Sequence, residues 1–168
     1  MKYALEQADI LIDLEEQILY LPKHNKFYVI SSGLNGIGEQ ENSGKTPRGW
    51  HEVAIKVGEN APENTVFIAR QETGEIYSHD LAEAFPEKDW ILSRILWLSG
   101  LEDGFNSGEG YDTFKRYIYI HGTPDSEPMG IPKSHGCIRM RNVDVIELFD
   151  LISEKALVYI SEKKLLNI

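Results

Sequence analysis

Cysteine is almost absent from this chain: Cys137 is the one thiol in 168 residues. That excludes an intramolecular disulfide and a cysteine-based zinc knuckle. Long apolar runs are missing as well. In the opening MKYALEQADILIDLEEQILYLPKH, every apolar stretch is broken by Glu6, Asp9, Asp13, Glu15 or Glu16. A secretory leader needs an unbroken apolar core behind a basic start, and a spanning helix needs about 20 apolar residues. The expectation is therefore a cytoplasmic protein if Met1 is the native start, or a periplasmic or cell-wall protein if a leader has been removed. Positive charge is also in deficit, with 17 Lys and Arg against 27 Asp and Glu and a net charge of -10. Such a balance argues against nucleic acid or an anionic membrane as the bulk partner.

What is present suits one domain over 1–168: 42% of the residues are hydrophobic, enough for a real core. Strand patterns dominate. ADILIDL and QILYLP read as short strands around a turn at Glu15 and Glu16, and KFYVISSG, HEVAIKVG and TVFIAR continue the series. FKRYIYIHG is a strand ending at His121, and ALVYIS closes the chain. ILSRILWLSG fits either a strand or a buried helix. Two polar, Gly-rich loops occupy 31–49 and 101–112. LAEAFPEKD gives a short helical turn stopped by Pro86. Asn142 is placed to N-cap VDVIELFDLIS, whose Val145, Ile146, Phe149 and Ile152 repeat at helical spacing. The fold class expected is mainly β with a few helices.

Two motifs fail on inspection. SGKT at Ser43–Thr46 resembles the end of a phosphate loop, but the required glycine five positions before its Gly-Lys pair is Glu39. GLNGIGEQE lacks the last glycine of a dinucleotide fingerprint. His24, His51 and His79 have no partners at catalytic or metal spacing and read as surface or structural residues.

The stretch HGTPDSEPMGIPKSHGCIRMR is different. From Ile131 to Arg141 it holds Lys133, Arg139 and Arg141 and no carboxylate, so the thiol lies in positive potential that stabilises thiolate. A thiol of pKa about 8.5 is only a few per cent ionised at neutrality and needs such help. His121 ends a hydrophobic strand, and the Pro/Gly-rich loop after it can return Cys137 to its side. Gly136 permits close backbone approach, and the amides of Gly136 and Cys137 lie where they can hold an oxyanion. Thiol, imidazole and amides are the parts of nucleophilic acyl transfer. The alternative is a metal held by His121, His135 and Cys137, for which no fourth ligand stands at an obvious position.

These residues carry a resemblance. SHGCIR, with YIYIHG upstream, is similar to the signature of the L,D-transpeptidase catalytic domain family, the YkuD-type cysteine enzymes of peptidoglycan metabolism. GKTPRGWHEV resembles the family's TPxG-plus-strand element, and ILIDLEEQILYL its first hairpin. The likeness runs from about Ile10 to Ile160 and implies a β-sandwich-like arrangement of mixed sheets. It implies Cys137 as nucleophile and His121 as base, with the imidazole held by the carbonyl of Gly122. Ser134, His135 and Gly136 would form the turn presenting the thiol, beside the substrate. Arg139 would orient a substrate carboxylate or brace the loop, with Arg94 and Arg141 as further candidates. No cofactor or metal is implied.

The substrate implied is a peptidoglycan tetrapeptide stem, cut between diaminopimelate and D-Ala through a thioester. Water resolving the thioester gives an L,D-carboxypeptidase of muropeptide recycling. An amine gives crosslinking or D-amino-acid exchange. A carbapenem-reactive thiol is expected in either case. An idle protein that only binds peptidoglycan peptides is the alternative of another class.

Overall fold

The computed structural model describes residues 3–165. A 3-10 turn at Leu5–Gln7 leads into strands β1 (Ile10–Asp13), β2 (Ile18–Leu21), β3 (Lys26–Ser31), β4 (Gly49–Val57), β5 (Thr65–Ile68) and β6 (Gln71–Ile76). Helix α1 (His79–Ala84) precedes β7 (Ile91–Gly100), β8 (Tyr119–Thr123) and β9 (Ile138–Arg141). Helix α2 (Asn142–Leu151) and β10 (Leu157–Ser161) complete the order. The chain is mainly β with few helices, as the sequence implies.

The strands form one mixed sheet in the order β4-β10-β1-β2-β3-β9-β8-β7-β5-β6. Strand β4 also pairs with β7, so the sheet bends round into a barrel of eight strands, and the β5–β6 hairpin projects from β7. Among the strands of the described residues, β1–β10 and β8–β9 pair in parallel and the other pairings are antiparallel. Closure removes the sheet edges that would otherwise carry unpaired backbone groups.

Alternation along the strands separates core from site. Ile10, Ile12, Leu19, Leu21, Ile30, Leu96, Leu98, Ile120, Ile138 and Met140 share one buried cluster, and α2 adds Val145, Leu148 and Phe149 to it. Side chains of a strand alternate between faces. The intervening Tyr119, His121 and Arg139 therefore face away from that core. Tyr119 joins a second cluster with Ala61, Phe67 and Ile95, against which Cys137 rests.

Several boundaries differ from the sequence reading. ILSRILWLSG is strand β7, with a register shift between Leu92 and Ile95 where Ser93 takes φ 68°. FKRY is not strand: Asp112 accepts the amides of Gly108 and Lys115, both at 3.0 Å, and Tyr117 has φ 57°. Strand β8 consequently starts at Tyr119 and runs through His121 to Thr123. Strand β6, QETGEI, was not expected because all its residues are exposed and polar pattern alone does not mark a strand. The first helix lies at His79–Ala84, earlier than 81–89, because Ser78 Oγ caps it by accepting the Leu81 amide at 3.2 Å.

Asn142 is not the N-cap of α2. Arg141 holds that position without a side-chain bond, and Asn142 is buried. Its amide donates to Thr123 O (2.9 Å) and Asn64 Oδ1 (3.0 Å), and its Oδ1 accepts from Ser93 Oγ (2.7 Å). The side chain ties the β7 bulge to the end of β8 instead of capping the helix.

Candidate active site

The parallel register of β8 and β9 sets the site. Ile120 pairs with Ile138 and His121 with Arg139. Paired residues in neighbouring strands share a face. Tyr119, His121 and Arg139 thus emerge on the same side, with Cys137, one residue ahead of β9, a diagonal step from His121. The Pro/Gly-rich loop between the two strands folds back, as its composition suggested, and lays β9 parallel to β8.

His121 is buried, and its Nδ1 donates to Gly122 O at 2.7 Å, fixing the ring. Its Nε2 has no hydrogen-bond partner among the described residues. Cys137 is half-buried; its sulfur accepts from the Tyr119 amide and donates to Tyr117 O, both at 3.3 Å. No hydrogen bond joins the two catalytic candidates in this state. Gly122 is required for the approach: a Cβ there would lie 2.4 Å from Asn142 Oδ1 and 2.6 Å from Leu92 O.

Burial pushes the Cys137 thiol up to about 12, opposed by the Tyr119 amide, reinforced by the Asp89 charge, and opposed again by Arg139 and Arg116. Burial likewise lowers His121, against the pull of Gly122 O and Asp89. Both shifts favour the uncharged forms, thiol and imidazole.

The nucleophile turn is braced from within. Ser134 Oγ donates to Cys137 O (2.5 Å) and accepts the Gly136 amide (3.1 Å). Thr46, from the TPRG element, donates to Gly136 O at 2.9 Å and accepts the Gly33 amide at 2.8 Å. Gly136 itself has φ +121°, and a Cβ would sit 3.1 Å from Lys45 O.

Not every expected residue lies where the sequence put it. The Gly136 amide is spent on Ser134, so the expected pair of oxyanion donors reduces to the Cys137 amide, which has no partner among the described residues. Ser134 is buried with its hydroxyl engaged on Cys137 O, so it braces the turn. Arg94 is buried beside α2: Nη1 donates to Ala61 O (2.8 Å) and Ser93 O (2.7 Å), and the guanidinium lies 5.4 Å from the Phe149 ring. Nothing brings it to the thiol, because the β7 bulge turns it toward the helix. Arg141 lies opposite Thr123, farther along β9, at the start of α2.

Arg139 is the arginine in the site. It is buried, with Nη2 on Asp89 Oδ1 at 2.7 Å and Nη1 3.5 Å from Glu127. His135 is exposed and its Nδ1 binds the other Asp89 oxygen at 3.1 Å. Sequence reasoning missed Asp89, a lone acid between Lys88 and Trp90 with no motif around it. It also missed Arg116, whose Nη2 donates to Lys45 O at 2.6 Å and whose charge the thiol feels. Among the described residues no group of three or more His, Cys, Asp and Glu converges as metal ligands do.

The family model for the L,D-transpeptidase catalytic domain matches residues 7–160. Among solved structures, an L,D-transpeptidase from Mycobacterium smegmatis is similar at 17% identity and a TM-score of 0.54, over 92% of this chain and 59% of that one. A cysteine-to-serine mutant of the Enterococcus faecium L,D-transpeptidase gives 18% identity and 0.52, over 92% and 50%. L,D-transpeptidase 3 from Mycobacterium tuberculosis, solved with a faropenem-derived adduct, gives 13% and 0.52, over 91% and 59%. The chain spans between half and three fifths of the length of these proteins, and at such identities the likeness is one of fold. No curated protein matches it.

Proposed function

The chain belongs to the L,D-transpeptidase catalytic domain family, and from that premise we propose that it is a cysteine acyl-transfer enzyme acting on peptidoglycan tetrapeptide stems. The observation that carries the reading is the unengaged Nε2 of His121, on the face that bears Cys137, with Nδ1 held by Gly122 O. An imidazole so fixed presents its lone pair toward the thiol side of the sheet.

The sulfur leaves Tyr117 O and passes its proton to His121 Nε2. The thiolate attacks the carbonyl carbon between diaminopimelate and D-Ala, and the oxygen takes the negative charge beside the Cys137 amide. Collapse breaks the C–N bond; the leaving amine takes the proton back from His121, and D-Ala departs. The thioester then meets water, which His121 deprotonates, and the tripeptide leaves with a free carboxylate as the thiol is restored.

Hydrolysis is favoured on soluble stems by mass action, since water is present at about 55 M and an untethered amine is dilute. Tethered stems in a wall raise the local amine concentration and favour crosslinking or exchange. That second reading is supported by the solved neighbours, which carry the transpeptidase name. The substrate that suits the hydrolytic reading is a soluble recycling fragment. Incubation with disaccharide tetrapeptide should release tripeptide and D-Ala; crosslinked dimer without tripeptide would overturn the hydrolytic assignment. An idle binding protein would bind the stem and form no thioester.

A further inference from the structure

Arg139 is a buried guanidinium with unspent donors. Its Nε is buried without a partner, and its one short bond is to Asp89. Guanidinium ordinarily engages a carboxylate through two parallel bonds, and a buried orphan donor costs stability unless a ligand takes it up. Asp89 meets Arg139 through one oxygen only; its other oxygen lies on His135.

Position adds the second half of the argument. Arg139 sits directly across from His121 in the parallel ladder, on the same face. Adjacent strands lie about 4.8 Å apart. The leaving nitrogen of an α-amino acid lies one carbon from that acid's carboxylate, and the group that protonates it must sit a hydrogen bond away from that nitrogen. An arginine beside the proton donor is therefore in reach of that carboxylate.

We infer that Asp89 is a resident stand-in for the terminal α-carboxylate of the substrate, held on Arg139 until that carboxylate exchanges for it. This rests on the peptide-cleaving reading above and names what the site selects: stems that end in a free acid. On exchange the substrate carboxylate takes Nη2 and the vacant Nε together, and Asp89 stays with His135 at the rim. Asp89 is thus a specificity-determining residue that competes with the ligand for Arg139.

The test uses the Cys137→Ala protein, which binds without turnover, and calorimetry with a stem tetrapeptide and its C-terminal amide. The free acid should bind about tenfold tighter than the amide. Asp89→Asn should tighten the acid several-fold and leave the amide unchanged, while Arg139→Gln should erase the preference. Glu127→Gln makes the same charge change without losing a short bond and should alter acid binding less than twofold. The proposal is overturned by equal binding of acid and amide, by no binding of either, or by Asp89→Asn weakening or tightening both alike. An acid preference that survives Arg139→Gln, or a Glu127→Gln effect as large as that of Asp89→Asn, overturns it too. Failure of the function reading looks different: the Cys137→Ala protein binds the acid selectively, yet the wild type releases no D-Ala.

Discussion

Two buried histidines on two sides of the barrel make a controlled comparison. His51 in β4 and His121 in β8 are both almost wholly buried, and each has Nδ1 on a nearby carbonyl, Gly49 O at 3.0 Å and Gly122 O at 2.7 Å. Burial lowers the proton affinity of both, His51 to about 4. They part at the other nitrogen. His51 Nε2 is closed by Thr113 Oγ1 at 2.9 Å, whereas His121 Nε2 is open on the face of the thiol. Burial and tautomer control are common to a structural and a catalytic imidazole; the free lone pair distinguishes them.

The comparison breaks most easily at His121. His121→Gln should slow acylation of Cys137 about a thousandfold, the size of a lost general base, with the melting transition still cooperative. Near-normal acylation in that variant would erase the distinction.

The next effect concerns the thiol itself. With Cys137 raised to about 12 by burial, alkylation by iodoacetamide in the free enzyme should climb about tenfold per pH unit from about pH 7 to 9.5. A plateau below about pH 8 would mean a preformed thiolate–imidazolium pair.

A smaller effect is expected from the brace beneath the nucleophile. Thr46→Val removes the bonds to Gly136 O and the Gly33 amide, and should cost about tenfold in acylation and about 1–3 kcal/mol in stability. Unchanged kinetics would show that the turn holds its shape unaided.

On acylation the smallest effect belongs to His51→Gln, within about twofold, but its stability signature is specific. His51 stays neutral in the fold down to about pH 4, while the unfolded chain takes up the proton near pH 6.5. The unfolded state binds more protons between those values, so stability falls as pH falls through that window, by on the order of 3 kcal/mol. Urea midpoints at pH 7 and pH 4.5 should differ less in His51→Gln than in the wild type. An equal difference would place the acid sensitivity elsewhere.

The strand-rich fold and the placing of His121, Gly122 and Cys137 were legible because they rest on local pattern: alternation within strands, a hydrophobic strand carrying the histidine, and a glycine turn before the cysteine, although β8 runs on past His121 to Thr123. Thr46 was legible as part of a motif, although its bond to Gly136 spans ninety positions and only the fold reveals it. Asp89 and Arg116 carried no pattern, since their importance comes from where β7 and the 101–118 segment bring them. Arg94 read as a plausible site arginine until the bulge at Ser93 turned it onto Phe149. Asn142 looked like a cap because asparagine before an amphipathic run usually is one; burial against Thr123 and Ser93 reassigned it. The Gly136 amide was expected to face substrate and is instead taken by its neighbour's hydroxyl.

The central claim is that Cys137 takes up an acyl group with His121 as its base, and intact-protein mass after exposure to a carbapenem tests it most directly. The account predicts one added drug mass on the wild-type protein, none on Cys137→Ala, and very slow addition on His121→Gln with His51→Gln unimpaired. A folded wild-type protein that gains no mass, or one in which loss of either histidine slows the addition equally, would contradict it.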